Sequence, residues 1–240
     1  MELVVLGSGS SGNCYLLKDD KECLIIEMGV NFDRVKEELN FDFSTVVGAV
    51  LTHEHGDHSN YLDNVISSGI EVIASKGTLD VFGRKTLCRV IKKGTSIKLG
   101  NFEVNSFDVK HDCAEPIGFV IRHPDSGDTL FLTDSYYSPL SFKGLNNIMI
   151  EANYCDDIIK ASGIPKERIG RTVTSHMSIQ TCCQFLSNQD MSEVNNIILI
   201  HLSDQNSNAF QFKQKATQAT GKQVFIAEKG LRVNFDLSPF

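Results

Sequence analysis

The sequence predicts an α/β fold in which two β-sheets pack face to face with helices on their outer sides. Short apolar, β-rich segments recur with turn signals between them, as buried strands do. They fall into two groups, and each group is followed by segments with apolar residues at helical spacing. The 240 residues are 41% apolar and 22% charged, enough to bury one sizeable core. One domain over residues 1–240 is the expectation.

In chain order, strands are expected at Glu2–Leu6, Cys14–Leu17, Leu24–Glu27, Val46–Thr52 and Ile70–Ala74. The second group is Phe102–Val109, Ile117–Arg122, Thr129–Thr133 and Asn147–Ile150, with Ile197–Leu202 and Val224–Ala227 closing the pattern. Helical spacing appears in Phe32/Val35/Leu39, Leu62/Val65/Ile66, Ile179/Cys182/Cys183/Leu186 and Phe210/Phe212/Ala216. His123, beside Pro124 and Asp125, falls in a turn-like stretch and is expected to be a solvent-exposed hairpin residue.

Composition removes several function classes. No apolar run approaches the ~20 residues that span a bilayer. Met1 to Leu6 lacks a basic n-region and reads as a strand, so a cytoplasmic protein with no membrane partner is expected. The seven cysteines are odd in number, scattered and without CxxC spacing, which fits reduced thiols. A formal charge of −7 works against a broad basic surface for nucleic acid, while leaving room for a short local groove.

The chemistry concentrates in His53-Glu54-His55-Gly56-Asp57-His58, directly after an apolar strand. On an extended chain residues i and i+2 share a side, so His53 and His55 can meet one cation while Glu54 points away. Gly56 then permits a sharp turn that aims Asp57 and His58 at a second cation. Imidazole nitrogen and carboxylate oxygen suit zinc, manganese or iron. One loop cannot complete two coordination spheres, and His111, Asp134 and His201 each stand where a later strand gives way to a loop.

With Glu27 in the second-strand position, these residues follow the motif order of the metallo-β-lactamase superfamily, which the sequence resembles over nearly its whole length. The resemblance implies a four-layer αβ/βα sandwich and two divalent metal ions, zinc by preference with manganese also suited. It implies that His53, His55 and His111 hold one metal, that Asp57, His58 and His201 hold the other, and that Asp134 bridges. Where Glu27 stands the family usually has Asp, which puts the support of the ligand loop in question. Leu6-Gly7-Ser8-Gly9-Ser10-Ser11-Gly12-Asn13, His111-Asp112-Cys113-Ala114-Glu115-Pro116 and His201-Leu202-Ser203 are similar to the exonuclease-like YycJ/WalJ branch. Glu151, ending an apolar strand, and His176, just before a helix, resemble the paired Glu and His motifs of ribonuclease Z. Phage relatives of that fold include enzymes that destroy cyclic nucleotides.

A metal pair ~3.5–4 Å apart lowers the pKa of a bridging water and can stabilise both oxygens of an in-line displacement. That serves phosphoryl and carbonyl centres alike, and Glu151 with His176 favours the phosphodiester: a His held by a carboxylate suits a general acid near neutral pH. Asp57, Asp134, Glu151 and His176 are therefore the candidate catalytic residues. Ser10, Ser11 and Asn13 in a Gly/Ser loop, and Ser203 and Asn206 after His201, are candidate contacts for substrate phosphate. The loop lacks a P-loop ending, so triphosphate binding is not implied. Polymeric nucleic acid and a small cyclic nucleotide both stay open as substrates, with carbonyl hydrolysis and non-catalytic nucleotide binding as alternatives. Homodimers are common among such relatives, and a homodimer is the expectation here.

Overall fold

The structure, a computed structural model, describes residues 1–83 and 86–237. The first half runs β1 (Glu2–Gly7), β2 (Cys14–Lys18), β3 (Cys23–Ile26), α1 (Asp33–Glu38), β4 (Val46–Val50), α2 (Gly56–Ser59), α3 (Leu62–Ser67), β5 (Val72–Ala74), α4 (Lys76–Val81) and β6 (Cys88–Val90). The second runs β7 (Ser96–Leu99), β8 (Phe102–Asp108), β9 (Ile117–His123), β10 (Gly127–Leu132), β11 (Leu145–Glu151), α5 (Asp156–Ala161), α6 (Lys166–Ser175), α7 (Ile179–Ser187), β12 (Asn196–Ile200), α8 (Ala209–Thr220), β13 (Val224–Ile226) and β14 (Arg232–Asn234).

These strands form two seven-stranded sheets, ordered β14-β1-β2-β3-β4-β5-β6 and β13-β12-β11-β10-β9-β8-β7. Each is antiparallel at one side and parallel at the other, where helices make the crossovers except between β10 and β11. Buried on both faces, the strands divide their side chains by alternation. In β1, Leu3 and Val5 enter the core between the sheets while Val4 faces the layer of α1 and α3. In β12, Ile198 and Ile200 meet the first sheet, and Ile197 and Leu199 pack against α7 and α8. The result is the expected αβ/βα sandwich of two sheets between two helical layers.

Several elements escape the sequence patterns. Helix α6 carries Gly170 and the β-branched Thr172, Val173 and Thr174, weak helix formers on a mostly exposed segment, so neither propensity nor an apolar stripe announces it. Phe210 was grouped with Phe212, yet Phe212 is fully buried and Phe210 is 70% exposed, because residues two apart on a helix face different ways. Among the described residues no helix is long and apolar enough to cross a membrane, and the seven cysteines are free thiols.

His123 is also corrected. It is 2% exposed, its ring is tilted against that of Phe102 with centroids 4.6 Å apart, and its Nε2 donates to Glu22 Oε1 at 2.9 Å. Burial follows from that partner: Glu22, in the β2–β3 turn, also accepts from Asn101 N at 2.9 Å and Asn101 Nδ2 at 2.7 Å. One carboxylate thus clips the two sheets together at the opposite end of β3 from Glu27.

Burial opposes ionisation of Glu22, but the hydrogen bonds from Asn101 and His123 outweigh it and hold the carboxyl below its ordinary value. Glu22→Gln, unable to accept from all three donors, is expected to cost about 1–3 kcal/mol at pH 7 in urea titrations. With the folded pKa below the unfolded ~4.3, the carboxylate's contribution is present above that value and lost as pH falls through the folded pKa. Wild type and variant should therefore converge in strong acid.

Candidate active site

The candidate residues gather where strands end. Glu27 follows β3, His53 follows β4, Asp134 follows β10, Glu151 ends β11 and His201 follows β12. Three of these, Glu27, Asp134 and His201, adopt positive φ (62°, 46° and 56°), a region that costs free energy for any residue but glycine and concentrates at functional sites. The sharp turn in the ligand loop is helical: His55 precedes α2, which presents Asp57 and His58, and Gly56 does not need positive φ there. Glu54 faces away, accepting from Ala114 N at 2.7 Å.

Two clusters flank Asp134. His53, His55, His111 and Asp134 bring candidate ligand atoms within 4.8 Å of one another, as do Asp57, His58 and His201. Asp134 Oδ2 lies 3.5 Å from His111 Nε2 and 3.8 Å from His53 Nε2, whereas Oδ1 lies 3.4 Å from His58 Nε2 and 3.6 Å from His201 Nε2. The carboxylate therefore stands between the clusters with one oxygen toward each.

A cation fits this arrangement. His53 Nε2 is buried and has no hydrogen-bond partner, an expensive state that a metal would relieve. His111 Nε2 and His55 Nδ1 converge to 3.0 Å, which lone pairs on both tolerate only with a cation or proton between them. Burial, reinforced by neighbouring His58, drives His53 well below its ordinary pKa, toward the neutral ligand form. Burial opposes charge on Asp134 too, but the surrounding His201, His58 and His53 hold its carboxyl well below the usual range. The mixed nitrogen and oxygen donors suit a divalent transition metal.

Further contacts orient the imidazoles, as metal sites require. His53 Nδ1 pairs with Thr52 Oγ1 at 2.9 Å, and His111 Nδ1 donates to the carbonyl of Ser175 at 2.8 Å. Glu27 is fully buried, accepts from Thr52 N at 3.2 Å, and places Oε2 3.3 Å from His58 Nδ1. The longer side chain thus reaches the ligand loop from the position where Asp was expected. Cys113 belongs to neither cluster, and burial pushes its thiol up to about 12.

Glu151 is buried beside the clusters. Its Oε2 accepts from Ser135 N and Met177 N, both at 3.1 Å, and Oε1 lies 2.7 Å from His176 Nδ1. His176, at the end of α6, keeps about a fifth of its side chain exposed, 22%, on the cleft. Burial disfavours its charge, but Glu151 overrides this and the imidazole is pushed up to about 9.

The cleft above these groups has a volume of about 620 Å³. Ser10, Ser203 and Asn206 line it; Ser11 is exposed outside its lining and Asn13 is buried. Part of the Gly/Ser loop is committed to internal bonds. Three of its amides are already donated, Gly9 N to Asn13 Oδ1, Gly12 N to Gly9 O and Asn13 N to Asp57 O, and Asn13 Nδ2 also reaches His58 Nε2 at 3.3 Å. Asn13 therefore braces the ligand loop. The sequence reading also missed α6 as a cleft wall, although Arg168, Arg171, Thr172 and Ser175 share one helical face.

Residues 33–202 match the family described as Beta-lactamase superfamily domain. The chain belongs to that superfamily. Among curated relatives, exodeoxyribonuclease WalJ of Streptococcus pneumoniae serotype 2 is 26% identical over 271 residues, covering 98% of this chain and 93% of WalJ. Exodeoxyribonuclease YycJ of Bacillus anthracis is 26% identical over 254 residues, covering 95% and 90%. Among solved structures, the metallo-β-lactamase fold protein YhfI from Bacillus subtilis superposes with TM-score 0.75 at 15% identity, covering 97% of this chain and 98% of YhfI. Human tRNase Z, short form, superposes with TM-score 0.66 at 17% identity, covering 98% and 99%. The superfamily's fold and these His/Asp clusters together point to divalent metal ions.

Gly29 locks this geometry. A Cβ there would stand 1.8 Å from Asp57 O and 2.9 Å from Asn13 N, backbone atoms that cannot yield without moving the ligand loop. Gly29→Ala is expected to weaken metal binding by ~10-fold or more, measured by competition with a chromophoric chelator, while far-UV circular dichroism stays native.

Proposed function

We propose that this metallo-β-lactamase-fold hydrolase cleaves phosphodiester bonds of nucleic acid with two divalent metal ions, zinc in the first instance. His53, His55 and His111 would hold one metal, Asp57, His58 and His201 the other, with Asp134 shared. Bound there, the metals would lower the pKa of a water and offset charge building on phosphoryl oxygens.

The observation that carries the reading is the Glu151–His176 pair, 2.7 Å apart at the edge of the ligand clusters. Glu151 is fixed by two backbone amides, so His176 is held by one nitrogen and presents the rest of its ring to the cleft. A protonated imidazole in that position can donate to a departing alkoxide, the group that phosphodiester hydrolysis must protonate. Thioester hydrolysis, whose thiolate leaves without a proton, offers no comparable task for an acid beside the clusters. Ser10, Ser203 and Asn206 line the cleft where a phosphate's remaining oxygens can be bound. WalJ and YycJ are named exodeoxyribonucleases, which favours a DNA strand over a cyclic mononucleotide.

Product chromatography on the zinc- or manganese-loaded protein tests this with cyclic mononucleotides and end-labelled single- and double-stranded DNA and RNA. Shortened DNA, absent with Asp134→Ala, is expected. Opened cyclic nucleotides with intact polymers would move the substrate to the small ligand, and an inert panel would overturn the phosphodiesterase reading. His176→Ala should lower kcat on DNA by ~10²–10⁴-fold. It should have little effect on bis(p-nitrophenyl) phosphate, whose p-nitrophenolate leaves without a proton.

A further inference from the structure

Helix α6 forms one wall of the cleft and is mostly solvent-exposed, with Ser175 its buried residue. Its cleft-lining residues, Arg168, Arg171, Thr172 and Ser175, follow i, i+3, i+4, i+7 spacing and so make one stripe along the helix. The lower end of the stripe is anchored at the ligand clusters, where Ser175 O accepts from His111 Nδ1 at 2.8 Å. At the rise of an α-helix, Arg171 stands about 6 Å and Arg168 about 10 Å above that anchor.

The two arginines are differently engaged. Arg171 Nε donates to Asp112 Oδ2 at 3.4 Å, tying α6 to the loop that carries His111. Arg168 has no side-chain partner among the described residues. Apart from His176, whose imidazole Glu151 favours in its charged form, the other charged residues lining the cleft are acidic: Asp57, Asp112, Asp134 and Asp204. An anionic substrate therefore meets favourable charge in two regions, the metal-ligand clusters with His176 beside them and the top of α6. A cleft of about 620 Å³ is larger than one diester requires, and the half-buried Ile164 and Ile169 beside Arg168 offer apolar surface for a sugar or base.

We propose that Arg168 binds a second phosphate of the substrate, adjacent to the one being cleaved, so that the site selects an oligonucleotide strand over a diester carrying a single phosphate. This rests on the phosphodiesterase reading above. The planar guanidinium is suited to the task because its donors match two phosphate oxygens at once. It is a substrate-binding residue and takes no part in the proton transfer.

Steady-state kinetics of the metal-loaded wild type, Arg168→Ala and Arg168→Lys decide the point, with a short single-stranded DNA and bis(p-nitrophenyl) phosphate as substrates. Arg168→Ala is expected to raise KM for the oligonucleotide about tenfold with kcat unchanged, and Arg168→Lys to recover part of that loss. Both variants should match wild type on the small diester. An unchanged oligonucleotide KM, or an equal loss on both substrates, would overturn the assignment, as would a wild type that cleaves only the small diester. A wild type inert toward both would instead remove the phosphodiesterase reading itself, and the role of Arg168 with it.

Discussion

A carboxylate that is 2% exposed must be matched by positive charge, and Asp134 meets that demand by setting one oxygen toward each of two imidazole groups. Each of those groups draws on both sheets. The loop after β4 in the first sheet supplies His53, His55, Asp57 and His58, whereas the second supplies His111, Asp134 and His201. The arrangement therefore exists only when the sheets are docked through the core formed by Leu3, Val5, Phe119, Phe131, Ile198 and their neighbours. Metal affinity and folding stability are coupled for the same reason, since unfolding disperses the ligands.

Strain is part of that arrangement. Glu27, Asp134 and His201 hold left-handed backbone conformations, at about 1 kcal/mol or more each. Each is fastened: Glu27 N donates to Val50 O, Thr133 Oγ1 donates to Asp134 Oδ1 at 2.7 Å, and His201 N donates to Ser8 Oγ at 2.9 Å. Turning the chain abruptly at a strand end aims the side chain inward before the backbone departs. Asn13 and Gly29 serve the same end from outside the clusters, one by bonding the Asp57 backbone and the other by leaving room for it.

Around this floor the cleft is chemically asymmetric. Glu151 fixes a cationic imidazole beside the clusters, and α6 carries guanidinium groups above them. The acidic net charge of the chain is compatible with the proposed phosphate contacts because the positive charge is local. That short basic edge is the kind of groove composition alone left open.

What the sequence determined is whatever follows from local periodicity and from chemistry packed into few residues. Alternating and helical apolar spacing marked most strands and the helices α1, α3, α7 and α8, and the density of His and Asp in residues 53–58 marked the candidate metal site. Polar or short elements without a strong pattern were illegible, α6 above all, and so were β6, β7 and β14, three or four residues each. The burial of His123 was decided by Glu22, a partner 101 residues away, and the role of Gly29 by the backbone of Asp57. The reach of Glu27 to His58, and the standing of Arg168 over the cleft, likewise depend on segments distant in the chain. Tertiary structure decided these because a side chain's partner is set by which elements pack together, and no local pattern encodes that.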